Sequence, residues 1–191
     1  MNFSDRIGRF LSDVLFLMGG GENSRSYTIG NKIYGGRVNR HAITIKADPP
    51  QVYRALVDFS EMQRWCPRER IAVKKITAGN LGPGTRMRYR LNYRINPVWH
   101  SVVMEVKENR RIINRFVDGI FEGSVEVWQL EEIEGETELS HTLIYRIDKL
   151  ILRLGWIFLG GQAKHDELTE EALHNLKTMV EQKSHSSMTA Q

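Results

Sequence analysis

Gln162–Lys183 reads QAKHDELTEEALHNLKTMVEQK. Leu168, Ala172, Leu176, Met179 and Val180 fall at i, i+4, i+8, i+11 and i+12, the rhythm of one helix face. Glu167, Glu170, Glu171, Asn175, Lys177 and Glu181 take the other side. A long run of strand-like alternation precedes this helix. A single amphipathic helix after such a run buries its stripe by lying on the sheet and closing it. If the sheet curls around the helix, the gap between them is the natural ligand site.

Working backwards, Thr85–Ile95 alternates most cleanly. Met87, Tyr89, Leu91, Tyr93 and Ile95 face one way; Arg86, Arg88, Arg90, Asn92 and Arg94 face the other. Val38–Lys46, Ile71–Thr77, Trp99–Lys107, Ile112–Val117, Phe121–Leu130 and Thr137–Ile147 read as further strands. Turns as short as Glu108-Asn109-Arg110 and Asp118-Gly119 join them, which means hairpins and an antiparallel meander. Strand parity assigns Tyr89, Tyr93, Val102, Met104, Val125, Val127, Leu139, Leu143 and Tyr145 to the inward face. Leu150–Leu159 is strongly apolar and is read as an early part of the last helix, kinked through Gly160-Gly161.

Two small helices follow the first strand. Asp48 is placed as the cap of one, with Pro49 in its first turn and Gln51 at the capping-box position. Ser60 and Gln63 form a similar signal for the second, which ends at Trp65 before Pro67. The expected fold is therefore α+β: seven antiparallel strands, two short helices after strand 1, and a long C-terminal helix.

Residues 1–36 form an arm. Phe3, Ile7, Phe10, Leu11, Val14, Leu15 and Met18 make one apolar stripe of an N-terminal amphipathic helix over 3–18. Gly19-Gly20-Gly21 ends it and opens a flexible segment to about Gly36. The stripe needs cover from its own domain, from dimerisation, or from peripheral membrane contact. The expected organisation is this arm and linker (1–36), a ligand-binding domain (37–183) and a disordered tail (184–191).

The net charge is +4, and residues 1–40 hold six basic and three acidic residues, so +3 of the excess lies in that N-terminal stretch. That suits weak attraction to an anionic surface rather than a nucleic-acid face. No run reaches the ~18 apolar residues of a membrane span, and residues 1–18 are too interrupted by charge for a signal peptide. One cysteine, Cys66, excludes an intrachain disulfide. The expected location is cytoplasmic, with the membrane periphery as the alternative.

The order of elements now meets specific residues. Ile43-x-Ile45-x-Ala47-Asp48-Pro49-Pro50-x-Val52-Tyr53-x-x-Leu56-x-Asp58, then Trp65-x-Pro67, resembles the opening of the START/Bet v 1-like (SRPBCC) superfamily. Within it, the similarity points to the polyketide cyclase/dehydrase and lipid-transport branch. Leu81-Gly82-Pro83-Gly84-Thr85, Glu108-Asn109-Arg110-Arg111-Ile112-Ile113 and Leu176-Lys177-x-Met179-Val180-Glu181 resemble that branch's later turns and helix ending. The resemblance spans about residues 40–183. It implies a helix-grip fold, with the sheet wrapped around the C-terminal helix and a deep apolar cavity between them. Such proteins bind lipids, isoprenoids or polyketides. Some are cyclases or dehydratases, and no common catalytic motif carries over.

The residues themselves exclude several chemistries. The six histidines (His41, His100, His141, His165, His174, His185) show no H-x-H or H-E-x-x-H spacing, so no metal site and no cofactor is expected. No G-x-S-x-G elbow occurs, and Cys66 reads as a packed thiol. The arginine stripe reads as a solvated outer face with Glu105 or other neighbours as cross-strand partners. His100 and His141 are candidate general acid/base groups by strand parity. The candidate ligand-binding residues are Trp65, Met87, Tyr89, Leu91, Tyr93, Val102, Met104, Trp128, His141, Tyr145, Leu168, Ala172 and Leu176. Three functions stay open: a hydrophobic-ligand binder or carrier, a cyclase/dehydratase, and a protein-interaction module with a packed interior.

Overall fold

A computed structural model of the chain describes residues 25–29, 31–93 and 96–188. The proposed helix over 3–18, together with Arg94, Ile95 and residues 189–191, lies outside them.

Eight strands form one antiparallel sheet: β1 (Arg25–Ile29), β2 (Lys32–Ile45), β3 (Ile71–Lys75), β4 (Arg86–Leu91), β5 (Val98–Lys107), β6 (Arg111–Phe116), β7 (Val125–Ile133) and β8 (Glu136–Tyr145). Their order is β1-β2-β8-β7-β6-β5-β4-β3. Strands β2 to β8 are the expected seven. Strand β1 is additional: Arg25–Ile29 pairs back on β2 as a hairpin where a flexible linker is expected. The helices are α1 (Pro49–Val57), α2 (Phe59–Trp65), α3 (Leu150–Phe158) and α4 (Gly161–Met188).

Local chemistry explains the boundaries. Asp48 caps α1 by accepting from the Gln51 backbone N–H at 3.1 Å. The Gln51 side chain does not complete a capping box; it accepts from Ser184 of α4 at 2.7 Å. The cap of α2 is Asp58, earlier in the chain than the Ser60 signal suggests, and it accepts from the Ser60 backbone at 2.8 Å. Gly160, at φ 66, ends α3, so Leu150–Phe158 is a separate helix rather than a kinked start to α4. Gly161 then lets α4 start against the Trp156 ring, with which an added Cβ would collide. Helix α4 continues to Met188, past Lys183, so residues 184–188 are helical rather than a disordered tail.

The interior divides along α4. Its C-terminal half is packed: Leu173, Leu176, Met179 and Val180 meet Val52, Leu56 and Trp65 of α1 and α2, and Ile45, Ile112, Leu130 and Leu139 of the sheet. The Trp65 indole donates to the Ala55 carbonyl at 2.9 Å and fixes this junction. Nearer the N-terminus of α4, Leu168 joins Leu152 and Trp156 of α3 against Ile71, Trp99, Phe116, Phe121, Leu143 and Tyr145.

Cross-strand register corrects the parity of two strands. Tyr89 pairs with Trp99 and Met87 with Ser101, so Trp99, Ser101 and Val103 point inward. Val102 and Met104 therefore face outward, and Met104 is 38% exposed. A bulge between Val103 and Glu105 then resets the pattern. On β7 the inward residues are Glu126, Trp128 and Leu130. Val125 and Val127 pack on the opposite face of the sheet with Ile113, Ile144, Tyr34 and Val38. Glu105 pairs with Arg111 at 2.7 Å and Lys107 at 4.0 Å, not with the arginine stripe of β4.

Candidate functional site

Between the sheet, α3 and the first half of α4 lies a cavity of about 1310 Å³. That exceeds the ~300–1,000 Å³ usual for small-molecule sites. Its walls are mostly apolar and aromatic. All four tryptophans of the chain, Trp65, Trp99, Trp128 and Trp156, line it. Exposed lining residues Val98, Lys149, Ile151, Leu159 and Lys164 mark its mouth.

Of the residues picked from sequence, Trp65, Tyr89, Leu91, Tyr93, Trp128, His141, Leu168 and Ala172 line this cavity. The others do not. Met87 and Leu176 are packed core at 2% and 0% exposure. Tyr145 is buried, and its hydroxyl donates to Gln162. Val102 and Met104 lie on the outer face. His100 pairs across strands with Arg88, on the arginine face, and its Nδ1 is 2.7 Å from Asp118. It is not a cavity histidine.

His141 is. It stands on β8 between His41 of β2 and Trp128 of β7, its cross-strand neighbours. Its Nε2 lies 2.8 Å from Oε1 of Glu126, whose Oε2 accepts from Asn114 Nδ2 at 2.7 Å. Burial pushes the Glu126 carboxyl up, but hydrogen bonds from His141, Asn114 and Trp128 and the His141 charge outweigh it, leaving it below the ordinary carboxylate value. Glu126 is thus an ionised acceptor, and His141 donates to it through Nε2–H. In the neutral ring Nδ1 is then the lone-pair nitrogen.

Other wall groups are tuned by burial. Burial pushes the Tyr89 phenol well up, and its oxygen lies 3.2 Å from Ser101 Oγ. The Cys66 thiol is pushed up to about 12 by burial, so it is an inert wall residue. Desolvation, with His141 and His41 nearby, lowers His165 to about 4 and keeps it neutral. Five buried polar atoms on the wall have no hydrogen-bond partner among the described residues: His141 Nδ1, Asn114 Oδ1, His165 Nδ1, Trp99 Nε1 and Trp156 Nε1. Buried polar groups are normally satisfied, so such a concentration in one cavity needs explaining.

Sequence reasoning missed Glu126, Asn114 and His165. Glu126 alternates with Val125 and Val127, and assigning the valines inward turned the carboxylate outward. Asn114 carries no motif, and in the sequence His165 stands out only as a possible metal ligand.

The chain matches the family model described as polyketide cyclase / dehydrase and lipid transport over residues 38–181. It belongs to that family. No curated protein matches it. Among solved structures, TTHA0849 from Thermus thermophilus superposes with a TM-score of 0.62 at 21% identity, covering 75% of this chain and 96% of that one. The Aha1 dimer from Colwellia psychrerythraea gives 0.56 at 20% identity, covering 75% and 96%. Ara h 8.0201 gives 0.53 at 12%, covering 75% and 97%. At these identities the likeness establishes the helix-grip fold alone.

Proposed function

We propose that the protein binds, and carries, an amphipathic small molecule of lipid, isoprenoid or polyketide type in this cavity. The observation that carries the reading is the conjunction of a large apolar chamber with unsatisfied polar atoms on its wall. Apolar area removed from water contributes ~25 cal/mol per Å². A ligand hydroxyl or carbonyl at the Asn114–Glu126–His141 group fixes orientation. Helix α3 supports transfer to and from a membrane: it lines the cavity with Leu152 and Trp156 while leaving Leu150, Ile151 and Phe158 exposed at 56%, 79% and 75%. Among the described residues no helix is long and apolar enough to cross a membrane. The test is organic extraction of the purified protein followed by mass spectrometry. One co-purifying apolar species per chain is expected, and its consistent absence contradicts the reading.

The Glu126–His141 pair favours a second reading, catalysis of a dehydration or cyclisation. A carboxylate-oriented imidazole with a bare Nδ1 takes a proton from a carbon beside a carbonyl. It returns that proton to a departing hydroxyl, which leaves as water. Release of water from a β-hydroxy ketone, abolished in His141→Phe with binding retained, distinguishes this reading from simple carriage.

A further inference from the structure

We propose that His41, His165 and Asp166 form a binding site for a divalent transition-metal ion of the zinc or cobalt type. The site is independent of the ligand reading and lies at the cavity wall. His41 comes from β2; His165 and Asp166 are adjacent near the start of α4. One ligand atom from each lies within 4.8 Å of the others. Around a tetrahedral ion with bonds of about 2.0–2.1 Å, ligand atoms sit roughly 3.4 Å apart, so a side-chain closure of up to about 1.4 Å suffices. Two imidazoles and one carboxylate select transition ions over calcium or magnesium, which prefer all-oxygen sets.

The surroundings resemble the supporting shell of a metal centre. Asp166 Oδ1 accepts from Asn39 Nδ2 at 2.6 Å and Gln162 Nε2 at 2.8 Å, which holds the carboxylate from two sides. Nδ1 of His41 is 3.6 Å from Oε1 of the exposed Glu170, a carboxylate within ion-pair reach but beyond hydrogen-bond distance. An ordinary hydrogen-bond cluster, with His41 Nε2 3.3 Å from Asp166 Oδ1, accounts for those two residues. It does not account for His165, whose buried Nδ1 has no hydrogen-bond partner among the described residues. His41 and Asp166 are 125 residues apart in the chain, so no local motif reveals the set. His165 lines the cavity with its ring 6.1 Å from that of His141, so an ion here stands beside the Glu126–His141 pair.

The experiment titrates the full chain, stripped with EDTA, with cobalt chloride and zinc chloride. Visible absorption and calorimetry are the readouts. One saturable ion per chain is expected. His41→Ala and Asp166→Asn should each weaken binding at least about tenfold, while His100→Ala, on the outer face, leaves it unchanged. Failure to saturate, or one-to-one binding that both variants retain, overturns the proposal. Should either variant misfold by circular dichroism, ring-nitrogen NMR of the unmodified protein decides. Zinc-induced shifts at His41 and His165 support the site; shifts confined to the other histidines overturn it.

Discussion

Nε2 of His141 and Oε1 of Glu126 stand 2.8 Å apart inside an apolar cavity, each on its own strand of the β7–β8 hairpin. The carboxylate is depressed below its ordinary value, so the pair has a pH signature. A group with a lowered folded pKa contributes stability that is full above the unfolded value, about 4.3, and lost as pH falls through the folded value. Glu126→Gln is expected to be less stable than the parent at pH 7 by about 1–3 kcal/mol. That difference should shrink below about pH 4.3. Urea midpoints across pH measure it, and parallel curves for parent and variant would contradict the assigned charge.

The two halves of α4 should respond differently to truncation. Leu176 is fully buried in the packed half, so Leu176→Ala is expected to cost about 2–5 kcal/mol. Leu168 is only half-buried and borders the cavity, so Leu168→Ala should cost about half as much or less. Equal losses in denaturant titrations would mean that the cavity is closed in solution.

Cys66 lies on the cavity wall with its thiol pushed up to about 12. At pH 8 its thiolate fraction is about 10³-fold below that of a free cysteine. Iodoacetamide should label the native protein very slowly and the urea-unfolded protein readily. Rapid native labelling would contradict the burial.

Helix α3 should matter for transfer and not for folding. Ile151→Glu and Phe158→Glu alter exposed positions, so thermal midpoints should move little. Ligand exchange with phospholipid vesicles should slow several-fold. Unaltered exchange would remove α3 from the route.

The fold was legible because its signals are local. The 3.6-residue stripe of Gln162–Lys183, the alternation around Met87–Leu91, and the Asp48-Pro49 start each depend on neighbours in sequence. The site was less legible because a one-residue change of register exchanges faces. Val102 and Met104 looked as suitable for an interior as Trp99 and Val103; only pairing of Tyr89 with Trp99 decides between them. On β7 the apolar Val125 and Val127 cover the opposite face, so hydrophobicity there pointed away from Glu126 and the cavity. The His41–His165–Asp166 group depends on a strand and a helix from opposite ends of the domain. Strand β1 was missed because its glycine-rich surroundings read as linker.

Intrinsic fluorescence tests the central claim most directly, because all four tryptophans line the cavity. An apolar quencher of fatty-acid type, such as a conjugated polyene acid, is titrated into the parent and into Ala172→Phe, which fills the chamber from α4. A ligand cavity gives saturable, one-to-one quenching in the parent and a loss of at least about tenfold in apparent affinity in the variant. Quenching that never saturates, or that is identical in a folded Ala172→Phe, would contradict a ligand-binding interior.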